Sequence, residues 1–111
     1  MSDYHPDKWV VVKITGKDYP PLYKVFACWY GGWAGADSWK LNSGITRVIS
    51  SDNHYEFEGS SGSVYFCSKT EYGTNHYGRG ILNNLIDKIE KSGGTCVVLP
   101  EETNFLEIKY D

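Results

Sequence analysis

Tyr30 and Trp33 stand inside a glycine cluster, Trp29-Tyr30-Gly31-Gly32-Trp33-Ala34-Gly35-Ala36-Asp37-Ser38-Trp39. Indole and phenol rings offer wide flat faces with one polar edge, suited to stacking a nucleobase, a sugar ring or a partner's side chain. The glycines beside them let a second backbone approach closely. Tyr30, Trp33, Asp37 and Trp39 are therefore contact candidates. Trp29 and Trp39 have a plainer reading as core residues, because they occupy alternating strand positions.

A second stretch, Thr70 to Gly80, is polar, aromatic and glycine-flexible, and runs into a helix. There Tyr72 adds a ring, while His76 and Arg79 at a helix N-terminus would favour a phosphate or carboxylate. The plainer reading is a surface loop in which Thr74 or Asn75 caps the helix. A third, Gly59-Ser60-Ser61-Gly62-Ser63, could offer backbone amides to an anion. It lacks the Gly-Lys-Ser/Thr ending of a P-loop and no helix follows, so an ordinary hairpin loop is the simpler account.

For covalent chemistry the pair worth naming is Cys67 with His76 or His54, and a reactive thiol would need a thiolate-stabilising neighbour. His5, His54 and His76 with Cys28, Cys67 and Cys96 show no CxxC, HxH or HExxH spacing, so no metal or cofactor is expected. Glu56 and Glu58 share one strand face, an arrangement that serves solubility.

The elements that must hold these residues follow from periodicity. Trp9 to Ile14 reads as a strand with Val10, Val12 and Ile14 on one face and Trp9, Val11 and Lys13 on the other. Gly16 to Pro21 reads as a turn. Leu22 to Tyr30 is apolar on both faces, which places it centrally and antiparallel to the first strand. Ser38 to Asn42, Ile45 to Ile49, His54 to Glu58 and Ser63 to Ser68 continue as short strands, with a turn or bulge at Asn42-Ser43-Gly44. Tyr77, Ile81, Leu82, Leu85, Ile86 and Ile89 then make one apolar helical stripe. Asp87 and Lys91 pair on its wet side, and Gly93 stands where a helix ends. Thr95 to Leu99 reads as a short buried strand. Leu106, Ile108 and Tyr110 read as a last edge strand, which could pair with a second copy.

The expected fold is α+β: a twisted antiparallel sheet or half-open β-barrel of about six strands with one covering α-helix. At 111 residues one domain spanning 1–111 is expected. A net charge of −3 with scattered lysines makes nucleic acid an unlikely partner. The first eight residues lack the basic and apolar regions of a signal peptide, and no apolar run reaches the length of a membrane span. Three separated cysteines in apolar segments fit reduced thiols, so the cytoplasm is the expected compartment.

Trp9-Val10-Val11-Val12-Lys13-Ile14, Tyr23-Lys24-Val25-Phe26-Ala27, Trp29-Tyr30-Gly31-Gly32, Asp37 to Ile45 and Gly62-Ser63-Val64-Tyr65 resemble the corresponding stretches of small uncharacterised proteins encoded by tailed bacteriophages. The likeness covers roughly the first seventy residues and includes no catalytic motif. It implies an accessory phage product acting inside an infected bacterium. The leading expectation is thus a non-enzymatic binding protein that occupies a host or defence protein. The alternatives are a binder that sequesters a nucleotide-type signal and, further off, a small nucleotide or ester hydrolase using a Cys–His or His–Asp pair.

Overall fold

Val10, Val11, Val12, Val25, Phe26, Ala27 and Cys28 are all buried, so two neighbouring strands are covered on both faces. That requirement organises the computed structural model, which describes residues 3–31 and 37–110. The elements run β1 (Asp3–Tyr4), β2 (Lys8–Gly16), β3 (Tyr19–Trp29), β4 (Ser38–Leu41), β5 (Ile45–Ser50), β6 (His54–Gly59), β7 (Val64–Ser68), α1 (His76–Lys91) and β8 (Thr95–Val98). They form two four-stranded sheets, β4-β3-β2-β8 and β1-β7-β6-β5. All pairings of these strands are antiparallel except β1 with β7. The expected α+β class with one covering helix is what forms. The sheets do not close into a barrel.

Alternation along β2 and β3 sorts side chains into two cores. Trp9, Val11, Val25 and Ala27 face the β5–β7 sheet and meet Ile45, Phe57, Tyr65 and Cys67. Val10, Val12, Phe26 and Cys28 face α1 and meet Leu82 and Cys96. The order of layers is therefore sheet, sheet, helix. Trp9 is the hub of the first core: its ring lies 4.7 Å from Tyr72, 5.4 Å from Phe57 and 5.6 Å from Phe105, centroid to centroid. Its indole N–H donates to the Ser68 carbonyl at 2.6 Å, which satisfies the one polar atom such a buried ring carries.

Helix α1 sets Ile81, Leu85, Ile86 and Ile89 against the second core as its stripe predicts. Tyr77 departs from that stripe and is 43% exposed in the first turn. Asn75 caps the helix, its Oδ1 accepting from the Gly78 amide, and Asp87 and Lys91 pair at 2.9 Å. Gly93 has φ +97°, the left-handed conformation that ends helices and favours glycine.

Three readings of the sequence are corrected. Pro20 and Pro21 do not stop the chain. β3 begins at Tyr19, pairing with Gly16 across a two-residue turn, and the prolines lie opposite Thr15 in a bulge. Because β4 covers only Phe26 to Trp29, this end of β3 is a sheet edge, where a missing N–H is tolerated. Next, β8 is an outer strand, with Cys96 buried and Val97 and Val98 exposed. Finally, the residues from Leu106 to Tyr110 form no strand. The edge open to another chain on that side is β8 itself.

Candidate functional site

The end of β3 is tied down by carboxylates. Asp7 Oδ2 accepts from the Tyr30 amide at 2.8 Å, and Asp37 Oδ1 accepts from the Gly31 amide at 2.9 Å. Asp37 thus holds the base of the β3–β4 corner. Trp29 is half-buried, its indole N–H donating to the His5 carbonyl at 3.0 Å. Tyr30 and Trp39 point outward, 54% and 42% exposed. Trp39 keeps one face for the fold, stacked on Phe26 at 5.6 Å and 16° between planes. Its other side is open. Trp33 lies outside the described residues.

The start of α1 packs against the same end of β3. Asn75 Nδ2 donates to the Trp29 carbonyl at 3.4 Å, and Gly78 sits directly over Cys28. A Cβ at position 78 would stand 2.3 Å from Cys28 Sγ, so only glycine permits this approach. His76 and Arg79 are both exposed beside this contact. The first turn of α1 thus abuts the end of β3 through Asn75 and Gly78, while Arg79 lies beside residues of β2 and β8 rather than of β4. Arg79 also borders a shallow cleft of about 490 Å³ with Val10, Leu82 and Val98.

No family model, curated protein or solved structure matches this chain.

Tyr72 belongs elsewhere. Its ring is turned inward against Trp9 at 88° between planes. Its hydroxyl donates to the Leu99 carbonyl at 2.6 Å and accepts from the Val11 amide at 3.2 Å. Tyr72 thus stitches the edge of β2 to the chain leaving β8. Burial first, with Glu101 and Glu102 nearby, pushes its phenol up to about 12, and burial pushes Tyr65 to about 12 as well. A phenol that holds its proton longer when folded than its unfolded value near 10 makes stability fall as pH rises between those two values. The urea midpoint is expected to be level up to about pH 9 and to drop steeply by about pH 11. Tyr72→Phe should cost about 1–3 kcal/mol at neutral pH, since it leaves two inward backbone groups unpaired, and should flatten part of the alkaline loss.

Two other arrangements anticipated from sequence are not assembled. The amides of Gly59, Ser60, Ser61 and Gly62 donate to Ser63 O, Gly44 O, Ser43 Oγ and Gly59 O, so this loop spends its donors internally. It also belongs to the sheet on the far side of β2 and β3 from Arg79. Cys67 is sealed in the first core, where burial pushes its thiol up. His54 pairs with Ser68 while Cys67 pairs with Tyr55, which puts His54 and Cys67 on opposite faces. His76 stands on the helix, across the other sheet. Burial also raises Cys28 and Cys96.

Proposed function

We propose that this protein is a non-enzymatic binding protein that engages another protein through the rings at the β3–β4 corner and the adjoining first turn of α1. Following the likeness to bacteriophage products, we place its partner among host or anti-phage defence proteins in the bacterial cytoplasm, with inhibition as the outcome. The observation that carries this reading is the outward setting of Tyr30 and Trp39 on and beside β4, a strand with a neighbour on one side only. Large rings at the centre of a contact patch supply most of the binding energy in protein interfaces. Tyr77, exposed in the same helix turn, extends the patch. No helix among the described residues is long and apolar enough to cross a membrane.

The test is affinity capture from bacterial lysate followed by mass spectrometry, with variants run in parallel. Tyr30→Ala, Trp33→Ala and Trp39→Ala are each expected to weaken capture of one and the same protein by roughly thirtyfold, the effect of losing about 2 kcal/mol at an interface centre. Tyr19→Ala, at the 77% exposed tip of the β2–β3 hairpin, should capture as wild type does. Equal capture by all variants would remove the proposal. A nucleotide that raised the melting temperature, worth about 2.7 kcal/mol at a hundredfold its dissociation constant, would favour the small-molecule alternative instead.

A further inference from the structure

A second concavity, of about 350 Å³, opens between the β5–β7 sheet and the segment that follows β8. Its floor is aromatic: Trp9 and Phe105 lie beneath, and Tyr55 and Tyr72 rise on either side. Charge is placed asymmetrically around it. On the Tyr55 side the Lys69 ammonium sits 4.8 Å from the ring centroid and donates to Ser50 Oγ at 2.7 Å and Ser51 O at 2.5 Å. An ammonium has three protons, so one is left to aim elsewhere. On the Tyr72 side stand Glu101 and Glu102, close enough for their charge to act on the Tyr72 phenol. Neither glutamate forms an ion pair among the described residues.

Apolar concavities of this size with a few converging polar groups are the ordinary form of a small-ligand site. A hydrocarbon ligand would leave both charged rims unanswered, and a simple anion would meet two carboxylates. A simple cation suits the rings and the glutamates but is repelled by Lys69. We infer that this concavity binds a small zwitterion, its ammonium lying beside Glu101 and Glu102, its carboxylate on the free proton of Lys69, and its aliphatic body between the half-buried rings of Tyr55 and Tyr72, above Trp9 and Phe105. The site uses none of Tyr30, Trp39, His76 or Arg79, so it stands or falls apart from the partner surface.

The Trp9 indole N–H, held on Ser68, is the reporter. Its NMR cross-peak is followed while 6-aminohexanoate is titrated into the whole protein, with hexylamine and hexanoate as probes that carry one charge each. A saturable shift in the millimolar range is expected for the zwitterion, and binding at least about tenfold weaker for either single-charge probe. Lys69→Met and the double variant Glu101→Gln/Glu102→Gln should each weaken the zwitterion by a similar factor, read from the titration midpoint of the same peak in each variant. No saturable shift would overturn the assignment. So would equal binding of hexylamine or hexanoate, or charge variants that bind as wild type does.

Discussion

Phe105→Ala is expected to destabilise the protein by about 3–5 kcal/mol, the usual cost of emptying a buried phenyl site. Phe105 is 1% exposed and its ring meets four others, Trp9, Tyr55, Phe57 and Tyr72, at 5.3–6.0 Å. The segment carrying it is irregular, so no strand or helix ladder would hold it in place once the ring is gone. Its other ties to the fold include the Leu99 amide on Val11, the Tyr72 hydroxyl on Leu99 and the packing of Ile108 and Tyr110 on the first core, the Tyr110 ring lying 5.5 Å from that of Tyr23. A domain of this length has roughly 5–15 kcal/mol in total, so the loss takes a large share of it. Urea denaturation measures it directly, and limited proteolysis should then cut between residues 100 and 110. Leu106→Ala, at a neighbouring 51% exposed side chain, should stay within about 0.5 kcal/mol of wild type. Equal effects of the two variants would refute the packing described for this segment.

Gly78→Ala should cost about 2–3 kcal/mol, and here two effects oppose each other. Alanine in a helix interior gains up to about 1 kcal/mol over glycine by propensity. Against that, the new methyl would stand 2.3 Å from Cys28 Sγ and 2.9 Å from Asn75 Oδ1, and overpacking of this severity costs about 1–3 kcal/mol or more. The steric term wins because neither neighbour can yield: Cys28 is buried within β3, and Asn75 is fixed as the helix cap. A fall of roughly 10 °C in melting temperature is expected. Adding Cys28→Ala to Gly78→Ala removes the sulfur, and the nearest remaining atom of residue 28 is then Cβ at 3.5 Å. The double variant should therefore be more stable than Gly78→Ala alone. Losses that simply add would show the two residues to be independent.

What the residues disclosed beforehand depended on whether a signal was local. β3 is apolar on both faces and was legible as a central strand, with β2 antiparallel beside it. The stripe from Ile81 to Ile89 was legible as a helix, and the Asp87–Lys91 pair followed from spacing alone. The last segment was not. Leu106, Ile108 and Tyr110 alternate as a strand would, yet the edge of β2 that they would need is already taken by β8 and by Glu71 to Gly73, a competition visible only in three dimensions. Trp9 was placed on the correct face, but its rank as hub depends on four rings from three distant segments. Of the candidate site, Tyr30 is as open as its place in the glycine cluster suggested, and Trp39 is more open than its alternating strand position suggested. Tyr72 looked like one more ring in a polar loop. Its two backbone partners lie 61 and 27 residues away in the chain.

The placement of β8 beside β2 has a consequence for biosynthesis. Thr15 waits for Thr95, 80 residues downstream, and Trp9 waits for Phe105. Closure over such separations is entropically slow. A ribosome-bound chain can form the β2–β3 hairpin early, but one flank of that hairpin stays bare until residues 95–105 have emerged. Assembly is therefore slow, toward the millisecond-to-second range of proteins built on distant pairings, and the nascent chain passes through a stage in which a chaperone would find its valines and Trp9 uncovered.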